Sequence, residues 1–388
     1  MNTVSRIPAG FLLLTTVCAA CAPADEGDRG TAAVPHDVLV VTQTIGGADV
    51  TSPEYEFGQV AGLAPLTDAR VAVVDRMNNV VRVFGADGGH LFSFGRAGEG
   101  PGEFRDPCCP AVDEDGRFWV RDGANSRYSA FDLHADSVSY AAQIRMSHFD
   151  ANRWAPLTFD RDGNLIDIGS RTDRAAGVTR TWRMHLDSTG AIVSETAVHK
   201  VPDDSTSVRK VEREIPGGVA TMFAYQPYGP SELAAHSPTG DYAHALSTRY
   251  AIEWRAADGS LIRTIMRDVP QGPALSTRED SAGEERRIQL AERLGVRPGQ
   301  LGFDVPSHKA PLRALFFDQD GRLWVELEVA DGSDRRADVY DTSGNLQRTV
   351  QWPSHVSLTD GASAGNVIWG VGRDSLDVAT VVRLESGS

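Results

Sequence analysis

A short unit recurs six times along this chain of 388 residues: an apolar run, a tight turn and a second apolar run. The turns centre on Ala69, Gly116, Gly163, Gly240, Gly321 and Gly365, at intervals of 47, 47, 77, 81 and 44 residues. A period of about 45 residues is the length of one four-stranded blade of a β-propeller. The two long intervals hold one such unit plus an insertion of roughly 30 to 35 residues each. The spacing predicts an all-β fold, a six-bladed β-propeller with a short helical insertion.

Four strands can be read in the first unit, at residues 60–66, 70–75, 80–85 and 90–94. Val71, Val73, Val81 and Val83 alternate as half-buried strands do, and Asp87-Gly88-Gly89 supplies a hairpin turn. The last unit offers three strands, 356–358, 367–369 and 378–384, whereas a spare apolar run stands at residues 38–41. A ring of blades leaves no open edge if that N-terminal strand completes the last blade. Pairing of residues 38–42 beside 378–384 is therefore expected.

Both insertions, residues 200–230 and 268–310, interrupt blade-to-blade connections, which in a propeller share one face. The first carries mixed charges and then Phe223, Tyr225 and Tyr228. The second predicts a helix over residues 276–294. Ser276 with Glu279, and Ser281 with Glu284, have capping-box spacing. Ile288, Ala291 and Leu294 make an apolar stripe, and Gly295 can end the helix. The pair is expected to form a partial lid over one mouth of the ring; the alternative is sideways decoration.

The first residues have the form of an export signal, with Arg6 ahead of an apolar stretch at 9–17. Cys18-Ala19-Ala20-Cys21 resembles the lipobox of bacterial lipoproteins, although Cys18 stands where leucine is usual. The resemblance implies lipidation at Cys21, removal of residues 1–20 and a membrane anchor through the lipid. A plain secretory signal is the alternative. Residues 21–36 are rich in Ala, Gly, Asp and Glu, with no apolar periodicity, and are expected to be a flexible tether to a propeller at 37–388. Ala22 rather than Asp follows the cysteine, which by resemblance to lipoprotein sorting leans toward the outer membrane. The formal charge of −15 opposes binding to a phosphate backbone, so nucleic acid is not an expected partner.

The first two units carry a further likeness. Asp75-Arg76-Met77-Asn78-Asn79-Val80-Val81-Arg82-Val83-Phe84 and Asp122-Gly123-Ala124-Asn125-Ser126-Arg127-Tyr128-Ser129-Ala130-Phe131 share an Asp, an Asn three residues on and a closing aromatic. They resemble NHL repeats, and the run from Phe94 to Phe104 looks like that family's glycine-rich connection. The likeness fades in the third and fourth units and partly returns at Asp320-Gly321-Arg322-Leu323-Trp324-Val325. It implies an NHL-related six-bladed propeller lipoprotein of bacteria.

Candidate chemistry is sparse. Pro107-Cys108-Cys109-Pro110 directly precedes an innermost strand, near the mouth of the ring. Adjacent Cα atoms lie about 3.8 Å apart, below the usual disulfide range. The favoured reading is two small buried thiols, reduced and inert; an apolar platform or a redox-labile bridge is the alternative. Three turns read Asp-x-Asp-Gly, but each lacks the further ligands of a calcium loop and is expected to be structural. His308 and His355 precede innermost strands and can face the axis, yet two histidines are fewer than a metal site of that kind needs. No phosphate loop occurs, and no cofactor is implied. Arg96, Arg105, Arg153, Lys309 and Arg313 are expected around the same mouth, paired with Glu99, Glu103 and Asp106 or free to attract an anion. With Cys108, Cys109, Trp154, Tyr225, Tyr228, His308 and His355 they make up the candidate ligand-binding set. The expected function is a lipid-anchored, extracytoplasmic binding or scaffold protein, without catalysis, whose partner is a protein or small ligand. The alternative is a metal-dependent hydrolase or lyase with its site on the axis.

Overall fold

The computed structural model describes residues 34–146, 157–173, 178–198 and 207–387. The chain enters through β1 (His36–Gly46). Beyond it lie four antiparallel meanders of four strands each. Sheet one runs β2 (Val60–Pro65), β3 (Val71–Asp75), β4 (Val80–Phe84) and β5 (His90–Phe94). Sheet two runs β6 (Pro107–Val112), β7 (Phe118–Asp122), β8 (Arg127–Leu133) and β9 (Val138–Arg145). Sheet three runs β10 (Thr158–Phe159), β11 (Leu165–Asp173), β12 (Val178–Leu186) and β13 (Ile192–Ala197). A separate hairpin comes next, β14 (Val208–Ile215) and β15 (Gly218–Tyr225), and then sheet four, β16 (Glu232–His236), β17 (Tyr242–Leu246), β18 (Ala251–Arg255) and β19 (Leu261–Met266).

The last stretch departs from the expected pattern. Strands β20 (Leu312–Phe317), β21 (Leu323–Leu327), β22 (Arg335–Tyr340) and β23 (Leu346–Trp352) form one meander. Strands β24 (Val356–Ala364), β25 (Val367–Arg373) and β26 (Ala379–Ser386) form the other. Both belong to a single eight-stranded sheet in the order β20-β21-β22-β23-β1-β26-β25-β24. The cause is β1, whose eleven residues serve two neighbours. Leu39 to Gly46 lie antiparallel to β26, which is the pairing anticipated for the N-terminal strand. His36 to Val38 continue past that edge and pair in parallel with Thr349 to Gln351 of β23.

Apolar side chains are buried between neighbouring sheets. Val74, Val81 and Val83 of sheet one meet Phe118, Val120 and Phe131 of sheet two in one cluster. Ala243, Ile252 and Trp254 of sheet four pack with Leu315, Leu323 and Val325 of β20 and β21. Ile45 of β1, Trp369 and Val381 close on Leu63, Val71 and Phe84 of sheet one. In each of these pairs one sheet covers its neighbour's face, as a repeat unit too thin to bury its own core must. The result is an all-β, propeller-like arrangement.

The repeated polar residues hold turns and connections. Asp75 at the end of β3 accepts from the backbone N–H groups of Gly58 and Gln59 at 3.0 and 3.1 Å, and from Asn78 Nδ2 at 2.8 Å. Asp122 at the end of β7 does the same for Arg105, Asp106 and Asn125. The incoming connection is thereby tied to the turn between the second and third strands of each sheet. Burial pushes the Asp75 carboxyl up, but donors from Gln59, Arg82, Asn78 and Gly58 outweigh it and hold the group below its ordinary range. The Asp-x-Asp-Gly turns are structural as well. Asp113 accepts from Trp119 Nε1 at 2.7 Å and Asp318 from Trp324 Nε1 at 3.0 Å, while Asp160 bonds the His185 ring at 2.7 Å. Their glycines have φ of 77 to 81°, the left-handed region that glycine enters at little cost.

Candidate functional site

The connections between sheets and the turns after second strands meet at one end, as the Asp75 and Asp122 bonds require. Both insertions rise from this end and pack on each other. Val211 of β14 and Ala224 of β15 are buried with Ala291 and Leu301, and Leu290, Leu294, Val296 and Phe303 pack around them. Helix α1 (Thr277–Leu294) is capped as its sequence implies. Ser276 Oγ accepts from the Glu279 N–H, Glu279 returns a bond to the Ser276 N–H, and Gly295 ends the helix in the left-handed region. The apolar stripe is only partly covered: Ala291 and Leu294 face the hairpin, but Ile288 is 41% exposed, contrary to expectation. The first insertion contributes a β-hairpin whose outer face carries Phe223 and Tyr225, 60% and 64% exposed.

The N-terminus of α1 is fastened to the turn after β21. Lys309 is buried; its Nζ donates to Glu279 Oε1 at 2.9 Å and to the Val329 carbonyl at 2.7 Å, and lies 3.5 Å from Glu328 Oε2. Arg278 pairs with Asp331, which also accepts from Ser276 Oγ at 2.9 Å. Burial raises the Glu279 carboxyl, but bonds from Ser276 and Lys309 overcome this and leave it below its ordinary range. Gly283 lets the helix approach the first insertion, because a Cβ there would lie 2.9 Å from Val305 and 3.1 Å from the Tyr228 ring.

A partly open cavity of about 160 Å³ lies at this junction. Gln226, Tyr228 and Gly229 of the first insertion line it, as do Lys309 and Ala310 of the second. Ser231 and Ser247 of sheet four and Leu312, Arg313 and Glu328 of the following meander complete the wall. Arg313 faces Glu326 at 3.2 Å and Glu328 at 3.5 Å. Glu328 Oε2 is buried and has no hydrogen-bond donor among the described residues. The cavity therefore offers hydroxyl, amide and guanidinium groups beside one unsatisfied carboxylate oxygen.

Of the candidate residues, Tyr228, Lys309 and Arg313 come together in this wall, and the other described ones are not part of it. Arg96 and Arg105 sit in the connection into sheet two, paired with Glu103 and Glu99 at 2.7 and 2.8 Å. Tyr225 ends β15 on the outer face of the hairpin. His308 bonds Ser307 Oγ at 3.0 Å and bridges in the backbone to Ala274, while His355 is exposed ahead of β24. Among the described residues no group of three or more His, Cys, Asp or Glu side chains assembles to hold a metal ion. Cys21, Arg153 and Trp154 lie outside the described residues. The two adjacent cysteines are not reduced as the sequence reading favoured: Cys108 and Cys109 are joined in a disulfide across Cα atoms 3.7 Å apart. A β-bulge in β6 between Cys108 and Ala111, with Cys109 at φ 57°, accommodates the ring.

Sequence reasoning missed Gln226, Ser231, Ser247 and Glu328, which carry no motif and meet only through the fold. It also missed the buried polar links between sheets, Arg121 and Tyr128 of sheet two on Asp167 of sheet three, and Tyr250 of sheet four on Asp338 of β22. The one signal for the first was a charged residue, Arg121, directly after the apolar run Phe118-Trp119-Val120.

No family model matches the sequence, and no curated protein matches it. Solved structures do. A Bacteroides fragilis NCTC 9343 protein, named as a candidate exported protein, has a TM-score of 0.50 at 12% identity, over 90% of this chain and 96% of its own. Virginiamycin B lyase from Staphylococcus aureus has a TM-score of 0.41 at 10% identity, over 89% and 99% of the two chains. A gluconolactonase from Xanthomonas campestris has 0.40 at 14%, over 89% and 98%. Two of these three are enzymes, and their activities are their own at such identities. The likeness to the first, together with the sheets described above, establishes the fold: an all-β, propeller-like chain bearing one short helix.

Proposed function

We propose that this chain is an exported, lipid-anchored six-bladed propeller of NHL-like repeats that holds a small ligand, or one protruding side chain of a protein partner, under its lid. The six-blade reading takes the eight-stranded sheet as two blades, one completed by β1 and bridged to its neighbour through His36 to Val38. The paired Asp–Asn turns at Asp75 and Asp122 support the repeat assignment. Lipidation at Cys21 and an outer-membrane address rest on the lipobox resemblance.

The observation that carries the binding reading is the cavity walled by Tyr228, Lys309 and Arg313, where both insertions and two sheets meet. Ligand sites for drug-sized molecules run to about 300–1,000 Å³, so this one suits an occupant of a few heavy atoms. Its cations face Glu279, Glu326 and Glu328, which leaves little net charge to favour a bare anion. The unsatisfied Glu328 oxygen calls for a hydroxyl or ammonium donor. Screening small hydroxylated and amino compounds for thermal stabilisation tests this. A binder should lose its effect in Arg313→Ala and in Glu328→Gln, with the unliganded midpoint within about 2 °C of the parent. Binding untouched by either substitution, or no binder at all, defeats the reading. The second reading, a metal-dependent hydrolase or lyase, is favoured by the enzymes among the similar propellers only to the extent that fold carries activity, which it does not by itself. Stoichiometric metal in the purified protein would replace the first reading with the second.

A further inference from the structure

We propose that Cys108–Cys109 is a thiol–disulfide modification site that resets the innermost strand of sheet two, independently of any ligand in the cavity. Two observations carry this. The bridge joins neighbours in sequence, closing a ring that contains a single peptide bond. And the backbone at that ring is displaced: β6 is bulged between Cys108 and Ala111, and Cys109 is a non-glycine residue at φ 57°. A side chain other than glycine tolerates that region only at a cost, and here the ring holds it there.

The displacement is matched by the adjoining sheet. β2 carries its own irregularity between Val60 and Leu63. At its centre Gly62 has φ 142°, and a Cβ there would fall 2.5 Å from Pro110 Cδ. The bulge after the disulfide is thus seated in a space that only glycine leaves open. Opening the ring frees Cys109 to return to extended backbone and lets β6 regain register with β7, which moves Pro110 against β2.

The chemistry requires a dithiol reductant. Its thiolate attacks Sγ of Cys109, the less buried of the two residues; the Sγ–Sγ bond breaks, and Cys108 leaves as a thiolate that takes a proton from water. The reductant's second thiolate then attacks its own sulfur in the mixed disulfide. Cys109 is released and protonated, and the reductant departs as a disulfide. Two electrons pass to the protein, and two protons end on the cysteines.

The test uses the intact protein with dithiothreitol as the dithiol. Purified in air and denatured without reductant, it should take no iodoacetamide at either cysteine in peptide mass spectrometry. Reduced while native and then denatured, it should take two. In hydrogen exchange the Cys108, Cys109 and Ala111 amides should exchange about tenfold faster after reduction, while sheet four stays unchanged. Cys108→Ser/Cys109→Ser should exchange at the fast rate with or without dithiothreitol. Labelling without reductant, reduction that needs denaturant, or exchange in the double variant equal to that of the oxidised protein would each overturn the proposal.

Discussion

His236 ends β16 with its ring buried beside Tyr242, and its Nδ1 has no hydrogen-bond partner among the described residues. Burial first, and then the charge of Arg183, push its pKa from 6.5 down to about 3. The unfolded chain takes up a proton below about pH 6.5 that the folded chain refuses until about pH 3. This group's contribution is therefore complete above pH 6.5 and drains away on acidification, at roughly 1.4 kcal/mol per pH unit. His236→Phe should flatten the fall of the thermal midpoint between pH 6 and pH 4; equal slopes in variant and parent would refute it. Arg183 is the companion case. Burial lowers its pKa to about 10, against Tyr242, Asp241 and Asp160, and it bonds the Gly240 carbonyl at 2.5 Å while lying 4.8 Å over the Tyr242 ring. Neither residue carries a motif in the sequence. Their chemistry comes from a neighbouring sheet that no local pattern reveals.

At the scale of elements, the two insertions are pieces that are unstable alone. A two-stranded hairpin is marginal in water, and an 18-residue helix with one apolar stripe needs a partner. Their shared cluster supplies it, and Lys309 anchors the helix by taking up Glu279. Lys309→Met should leave Glu279 without its cation, and Glu328 with Arg313 alone, and loosen that anchor. The amides of α1 should then exchange about tenfold faster or more, with the strands of sheet one unaffected. Equal protection of α1 in both proteins would show that the apolar cluster alone holds the helix. The capping box and the terminal glycine of α1 were legible because caps are local in sequence. The hairpin was not, because its strands mix charge with apolar residues: β14 shows Lys210, Glu212 and Glu214 to solvent and buries only Val211.

For the whole molecule, the closure is the decisive contact. β1 sits between β23 and β26, and Leu39 and Ile45 are buried in two different clusters on either side of it. Ile45→Ala removes a side chain that packs with Trp369, Val381 and Phe84 across the seam. It should cost about 2–5 kcal/mol, read as a lowered denaturant midpoint at unchanged slope. Val40→Ala, whose side chain faces outward on the same strand, should cost under about 0.5 kcal/mol. A small effect of Ile45→Ala would mean that the ring holds without its seam.

The repeat spacing, the turn glycines, the alternation in the first two units and the spare N-terminal strand were enough to derive the all-β meanders and the pairing of β1 with β26. These are properties of short segments, written in periods of two residues and of about 45. Three things depended on the tertiary structure. The second, parallel pairing of β1 joins residues more than 300 positions apart. The Cys108–Cys109 bridge required a backbone conformation that composition does not specify. The cavity is walled by Gln226, Tyr228, Ser247, Lys309, Arg313 and Glu328, from insertions and sheets that meet only when the ring closes. Local pattern determines which elements form, because backbone hydrogen bonding and side-chain alternation act over a few residues. Which side chains face one another across the gap between sheets is set by packing, and packing belongs to the folded whole.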